Sequence, residues 1–241
     1  MGFLRVTVFL MSHTETLSLG GLIMRALETA PSSERNTTTI PDNLKLALSI
    51  LRRKKLILPS EVTSLATPNG FSFSYDEEQL RFLLETLPSK AKLERIAKSN
   101  WPLIPGPSRP MSLLEVRSHL PRCFHLMGGW FAEPKEHFAR EEKVEPGWIA
   151  LRTECQGHRR CLSTAEVPNA AEISWYTGIY ILLRNIRLLH GTMAISASRT
   201  SSKAPVSVGH HAGTTGLHIC CYPIDIAFNG IDFLRILKRS L

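Results

Sequence analysis

The chain has 241 residues, 43% of them hydrophobic and 21% charged, with 29 Lys and Arg against 21 Asp and Glu for a formal net charge of +8. That composition excludes a disordered chain and is long enough to bury a core, and the mild excess of cations permits an anionic partner without demanding one. No apolar run approaches the roughly 20 residues that span a bilayer, so no membrane partner is expected; five cysteines, two of them adjacent at 220 and 221, make a poor disulfide framework and point to a reducing, cytoplasmic setting.

The opening "MGFLRVTVFLM" is broken by Arg5 and followed by no small-residue cleavage site, so a leader is not expected, and Met11 offers an alternative start. Leu17, Leu19, Leu22, Ile23, Ala26 and Leu27 keep helical spacing up to the polar "APSSERNTTT". Asp42 is placed to cap a helix carrying Leu44, Ala47, Leu48 and Leu51, which runs out in Arg52, Arg53, Lys54 and Lys55. Cations there meet the negative end of the helix dipole; the alternative reading is a phosphate-binding patch. "TPNGFSFSY" predicts a turn and an alternating segment with Phe71, Phe73 and Tyr75 on one side. Asp76 and Gln79 form a capping box for a helix with Leu80, Leu83, Leu84 and Leu87 inward, closed by Pro88. "SKAKLERIAKSN" predicts a short basic helix, and "WPLIPGPSRP", with four prolines in ten residues, a linker. The expected organisation is a helical region over 12–100, a linker over 101–110 and an α+β domain over 111–241.

Within that last domain, Ser112 and Glu115 open a two-turn helix stopped by Pro121. "MGGWFAEP" and "PGWIALR" read as short strands or extended loops around the charged "KEHFAREEKVE". The strongest element follows: Asn169 caps, Glu172 completes the box, and Ile173, Tyr176, Ile179, Tyr180, Leu183 and Ile186 line one face as far as Gly191. "TMAISAS", "VSVGH", "LHICCY" and "IDFLRILKRS" then predict strands. The expected fold class is α+β, with a long capped helix and a small antiparallel sheet.

The chain carries no Walker loop, dinucleotide fingerprint, zincin pair, nucleophile elbow or kinase signature. "TECQGHRRCLST" sets Cys155, His158 and Cys161 three residues apart, a spacing that could supply part of a zinc site. A fourth ligand would come from His210, His211, His218, Cys220 or Cys221. No second short-spaced knuckle exists, two arginines would repel a cation, and adjacent Cys220 and Cys221 on a strand face opposite ways, so no metal is expected. Cys123 beside His125, or Cys161 beside His158, is the thiol-nucleophile option, disfavoured because a fold and not sequence adjacency assembles catalytic pairs. Trp175, Tyr176 and Tyr180 read as core.

"EVPNAAEISWY…LLRNIRLL" followed by "SRTSS", "VSVGH", "GLHI" and "FNGIDFLRILK" resembles the C-terminal half of a group of uncharacterised bacterial hypothetical proteins over residues 111–241. That ending is in turn similar to the last strands of C-type-lectin-like domains, including the formylglycine-generating-enzyme relatives. The resemblance implies an α+β fold and a ligand- or partner-binding role, with Ser201 and Ser202 beginning a hairpin and Phe233 to Leu237 closing the sheet. The chain departs from the group in its short "CQGHRRCLST" and in Lys203, Ala204 and Pro205 after Arg-Thr-Ser-Ser, and it lacks the oxidising cysteines of a formylglycine-generating enzyme in matching context.

The functional expectation is a non-enzymatic binding module for a protein or small ligand, without a cofactor. Its ligand face lies within residues 192–232 and uses Arg199, Ser201, Ser202, His210 and His211. The alternatives are a basic nucleic-acid binder using Arg52, Arg53, Lys54 and Lys55, and a small zinc protein using Cys155, His158 and Cys161.

Overall fold

A computed structural model of the chain describes residues 40–65, 70–99, 101–125, 129–153, 167–210, 216–221 and 232–238. The helix expected within residues 17–27 lies outside them. All described residues belong to one compact unit, Ile40–Leu241.

Four helices come first: α1 (Asp42–Lys55), α2 (Pro59–Thr63), α3 (Glu77–Glu85) and α4 (Lys90–Ala97). Asp42 does not cap α1. Pro41 precedes the helix, its carbonyl accepts from the Leu44 and Lys45 amides at 3.0 Å each, and the Asp42 carboxylate instead pairs with Lys45 at 2.9 Å on the surface. The capping box of Asp76 and Gln79 forms as the sequence predicts. Between α2 and α3 the alternating segment is extended without a partner strand. Phe73 is fully buried with its ring 5.3 Å from Trp175, and Phe71 stacks on His119 at 3.8 Å.

A six-stranded sheet is ordered β1 (Leu103–Pro105), β4 (Trp148–Thr153), β8 (Asp232–Lys238), β5 (Thr192–Arg199), β6 (Pro205–His210), β7 (His218–Cys220). Its pairs are antiparallel except β5 with β8, which run parallel, so the sheet is mixed and not purely antiparallel. A small ladder joins β2 (Met111–Ser112) to β3 (Lys143–Val144). Between these elements lie α5 (Leu113–His119), opened by the Ser112 and Glu115 box, and the single turn α6 (Phe138–Glu141). The fold class is α+β, and "MGGWFAEP" contributes a 3-10 turn at Trp130–Ala132 where a strand or loop was expected.

α7 (Ala170–Arg184) crosses from β4 to β5 and is the axis of the core. Asn169 caps it through the Glu172 amide, and every residue from Ala170 to Tyr180 except Glu172 is buried. A helix apolar on all sides has to be enclosed on all sides. It ends earlier than Gly191. Asn185 adopts the left-handed conformation at φ 53°, which asparagine tolerates, and its amide closes on the Ile181 carbonyl at 2.8 Å.

The proline-rich strip is not a linker. Residues 101–107 are buried, and Leu103–Pro105 forms the edge strand β1, the place in a sheet where proline is tolerated. The strip's carbonyls need donors from elsewhere, and aromatic residues supply them: Trp175 Nε1 donates to Pro105 O at 2.9 Å, Tyr176 Oη to Pro102 O at 2.5 Å, and Tyr75 Oη to Gly106 O at 2.6 Å. Ile57, Val62 and Phe73 share one hydrophobic cluster with Trp175, Val206 and Ile219. The helical residues 40–99 and the β-rich remainder therefore form one core, and a division into separate domains at 101–110 does not describe them.

Candidate functional site

Hairpin β5–β6 carries Arg199, Ser201, Ser202 and His210 of the expected ligand face, and its two ends differ. At the turn, the Lys203 amide donates to Thr200 O at 2.8 Å and the Thr200 amide to Ala204 O at 2.9 Å. Ser201 and Ser202 sit in this turn, as the hairpin reading expects. Both donors of Ser201 go to the carboxylate of Glu136, its amide at 3.0 Å and its hydroxyl at 2.9 Å, and Glu136 is 4% exposed. The Ser202 hydroxyl is 2.9 Å from that of Thr200. Arg199, although exposed, folds back on its own strand and donates to the Ser196, Ala197 and Ser198 carbonyls at 3.2, 3.3 and 3.0 Å.

Ser198 is the hub of this end. Its hydroxyl accepts the Ala170 amide, one of the otherwise unpaired N–H groups at the start of α7, at 2.8 Å, and donates to Glu142. Burial pushes the Glu142 carboxyl up and the charge of Glu172 adds to that shift, while the Ser198 hydrogen bond and Arg199 pull against it. Glu172 itself pairs with Lys238 at 2.8 Å. With no histidine or thiol in this set, Ser198 ties a helix to a strand and an acid.

At the other end stands His210. It is fully buried, and neither ring nitrogen has a hydrogen-bond partner among the described residues. Its backbone is fixed by pairing with Thr192 across the hairpin and by donation of its amide to Leu189 O at 3.2 Å. The strand register gathers further cations and imidazoles here. His190 bridges to His210, Gly209 pairs with His218, and His218 stacks on His125 with centroids 4.1 Å apart. Gly209 and Gly216 permit the close approach: a Cβ on Gly209 would lie 2.0 Å from Thr192 O, and one on Gly216 2.5 Å from the Phe124 carbonyl carbon. Burial drives the His210 pKa down to about 4, and the charges of Arg187, His190 and His218 push the same way. At neutral pH its imidazole is uncharged, offering one N–H donor and one bare acceptor within reach of the positive charge of Arg187.

A third feature is the cluster Arg52–Lys55. Arg52, Arg53 and Lys54 are exposed, and Lys55 is half-buried. Arg52 breaks α1 with φ 54° and ψ 170°, a backbone conformation that glycine adopts freely and other residues only at a cost of about 1–3 kcal/mol.

Cys123 is no nucleophile at neutral pH. Its thiol is buried, points to Gly178 O at 3.5 Å and has its pKa pushed up to about 12. Among the described residues no group of three His, Cys, Asp or Glu side chains could hold a metal ion. Cys155, His158, Cys161 and His211 lie outside the described residues. Sequence reasoning named His210 but missed that Arg187, His190 and His218 lie close enough to act on it, and it missed Glu136, Glu142 and Ser198; both sets depend on tertiary contacts between distant segments. Among the described residues no helix is long and apolar enough to cross a membrane. No family model, no curated protein and no solved structure matches the chain.

Proposed function

We propose that the protein is a non-enzymatic binding module whose ligand is a small polar anion held at the His210 end of hairpin β5–β6. One observation carries this reading: a wholly buried imidazole with both nitrogens unpaired. Leaving such groups unpaired costs about 1–3 kcal/mol each, so a position that keeps them has a partner that arrives from outside. The surrounding charges select its sign. The guanidinium of Arg187, exposed at the rim, supplies a permanent positive charge, so an oxygen-bearing anion is favoured over a cation. The neutral imidazole would donate to one oxygen of that ligand and accept from a hydroxyl or amine. Of the residues expected to form the ligand face, Arg199, Ser201 and Ser202 are committed to the opposite end of the hairpin, which leaves His210, among the described residues, as the recognition group.

The test is thermal unfolding of the wild type and of His210→Leu with lactate and with inorganic phosphate, alongside native mass spectrometry of the protein as purified. A raised melting temperature in the wild type alone, or a carried-over anion missing from the variant, supports the reading. Equal shifts in both proteins, or no shift and no carried-over mass, remove it.

A further inference from the structure

Cations at a helix C-terminus ordinarily neutralise its unpaired carbonyls. That explanation accounts for only one member of the Arg52–Lys55 cluster. Lys55 donates to Ala97 O at 2.6 Å and Ser99 O at 2.5 Å, and so caps the neighbouring α4. The carbonyls of the cluster itself are taken by other groups. Arg52 O accepts the Leu56 amide at 3.1 Å, Arg53 O accepts Arg184 at 2.8 Å, and Lys54 O accepts the Tyr180 hydroxyl at 3.1 Å. Arg184 is in turn held by Glu61 at 2.7 Å. No described residue forms an ion pair or hydrogen bond with the charged ends of Arg52, Arg53 and Lys54. Their charge serves no helix end.

Two further features make these three cations a surface. Their backbone is clamped from α7 at two successive carbonyls and kinked at Arg52, so the side chains project from a fixed turn and little backbone order has to be created on binding. Through Lys55 the turn is also bolted to the end of α4, where Arg95 and Lys98 are exposed and Glu94 is the one acidic residue between Lys90 and Ser99. We propose that Arg52, Arg53 and Lys54, with Arg95 and Lys98 beside them, form a docking surface for the phosphate backbone of a nucleic-acid duplex. No aromatic residue occurs in either segment, which argues against base stacking on a single strand and for contact with phosphates alone. A membrane surface would need an apolar face beside the cations, and among the described residues only Leu182 and Ile186, each 37% exposed, stand near the end of α7.

Fluorescence anisotropy with a random duplex of about 20 base pairs, titrated with salt from about 50 to 200 mM, tests this. The wild type is expected to bind at the low-salt end and to lose affinity steeply. The variant R52Q/R53Q/K54Q should bind at least about tenfold more weakly and reduce the slope of log K against log salt by roughly 0.9 per lost phosphate contact, close to three in all. The charge-conserving R52K/R53K/K54R should keep the slope, and thermal melting should report both variants folded. An unchanged slope in the neutralised variant, no duplex binding at low salt, or binding to phosphatidylserine vesicles in preference to duplex would each overturn the proposal.

Discussion

The two ends of hairpin β5–β6 bury polar groups in opposite ways. Around Ser196, Ser198, Ser201, Glu136 and Glu142, hydroxyls, amides and carboxylates meet one another within 3.2 Å. Around His210 the two ring nitrogens find no hydrogen-bond partner among the described residues. Ser196, Ser198 and His210 are all buried within the same hairpin, so the difference between them lies in the partners. A closed polar network is self-sufficient and stabilises the scaffold; an open one costs stability and is retained for something that binds.

That contrast is broken or sharpened by substitution. Ser198→Ala should have the largest effect, a loss of about 3 kcal/mol in urea unfolding, because it strands both the buried Ala170 amide and the half-buried Glu142 carboxyl. His210→Leu should have the opposite sign, raising stability at neutral pH by about 1–2 kcal/mol, since it replaces an unpaired imidazole with an apolar group of similar size. A loss in place of that gain would mean that His210 is already satisfied in the free protein.

The same variant carries a pH signature. The folded-state pKa of His210 is depressed to about 4 from an ordinary 6.5, so the unfolded chain takes up the proton first. Stability is therefore intact above the unfolded value and lost as pH falls from 6.5 toward 4, and the advantage of His210→Leu should grow between about pH 7 and pH 5 by on the order of 1–2 kcal/mol, allowing for screening by water. Glu142 works in the other direction. Burial raises its carboxyl, so its contribution is present below the ordinary carboxylate range and lost as pH rises through it; Glu142→Gln should flatten that part of the profile. The smallest effect is expected at Arg52→Gly, a gain of about 1 kcal/mol in thermal unfolding, because glycine adopts φ 54° without strain.

What the sequence revealed is what is local. The boxes Asp76/Gln79, Ser112/Glu115 and Asn169/Glu172 are legible because each joins residues three positions apart and closes within one helical turn. The strands β5 to β8 follow from their own apolar patterning, and the core role of Trp175, Tyr176 and Tyr180 from helical spacing. The strip 101–110 was misjudged because its place in the sheet depends on donors some seventy positions away, at Trp175 and Tyr176. Asp42 was misjudged as a cap because the Pro41 carbonyl already accepts the first amides of α1. In the candidate site, His210 could be named from the sequence, but its isolation could not, since that depends on which residues the register of β5, β6 and β7 fails to bring within reach.

β8 lies between β4 and β5, and no ladder joins those two strands directly. Leu151 therefore finds its sheet partner only at Lys238, and Thr192 finds its parallel partner only at Asp232. During vectorial synthesis all seven other strands leave the ribosome before residues 232–238 do. Until then β1 with β4, and β5 with β6 and β7, are separate ribbons, each with an open edge toward the missing strand. Such non-local pairing makes for slow folding, and it leaves both ribbons with edges open to wrong partners until the strand between them arrives.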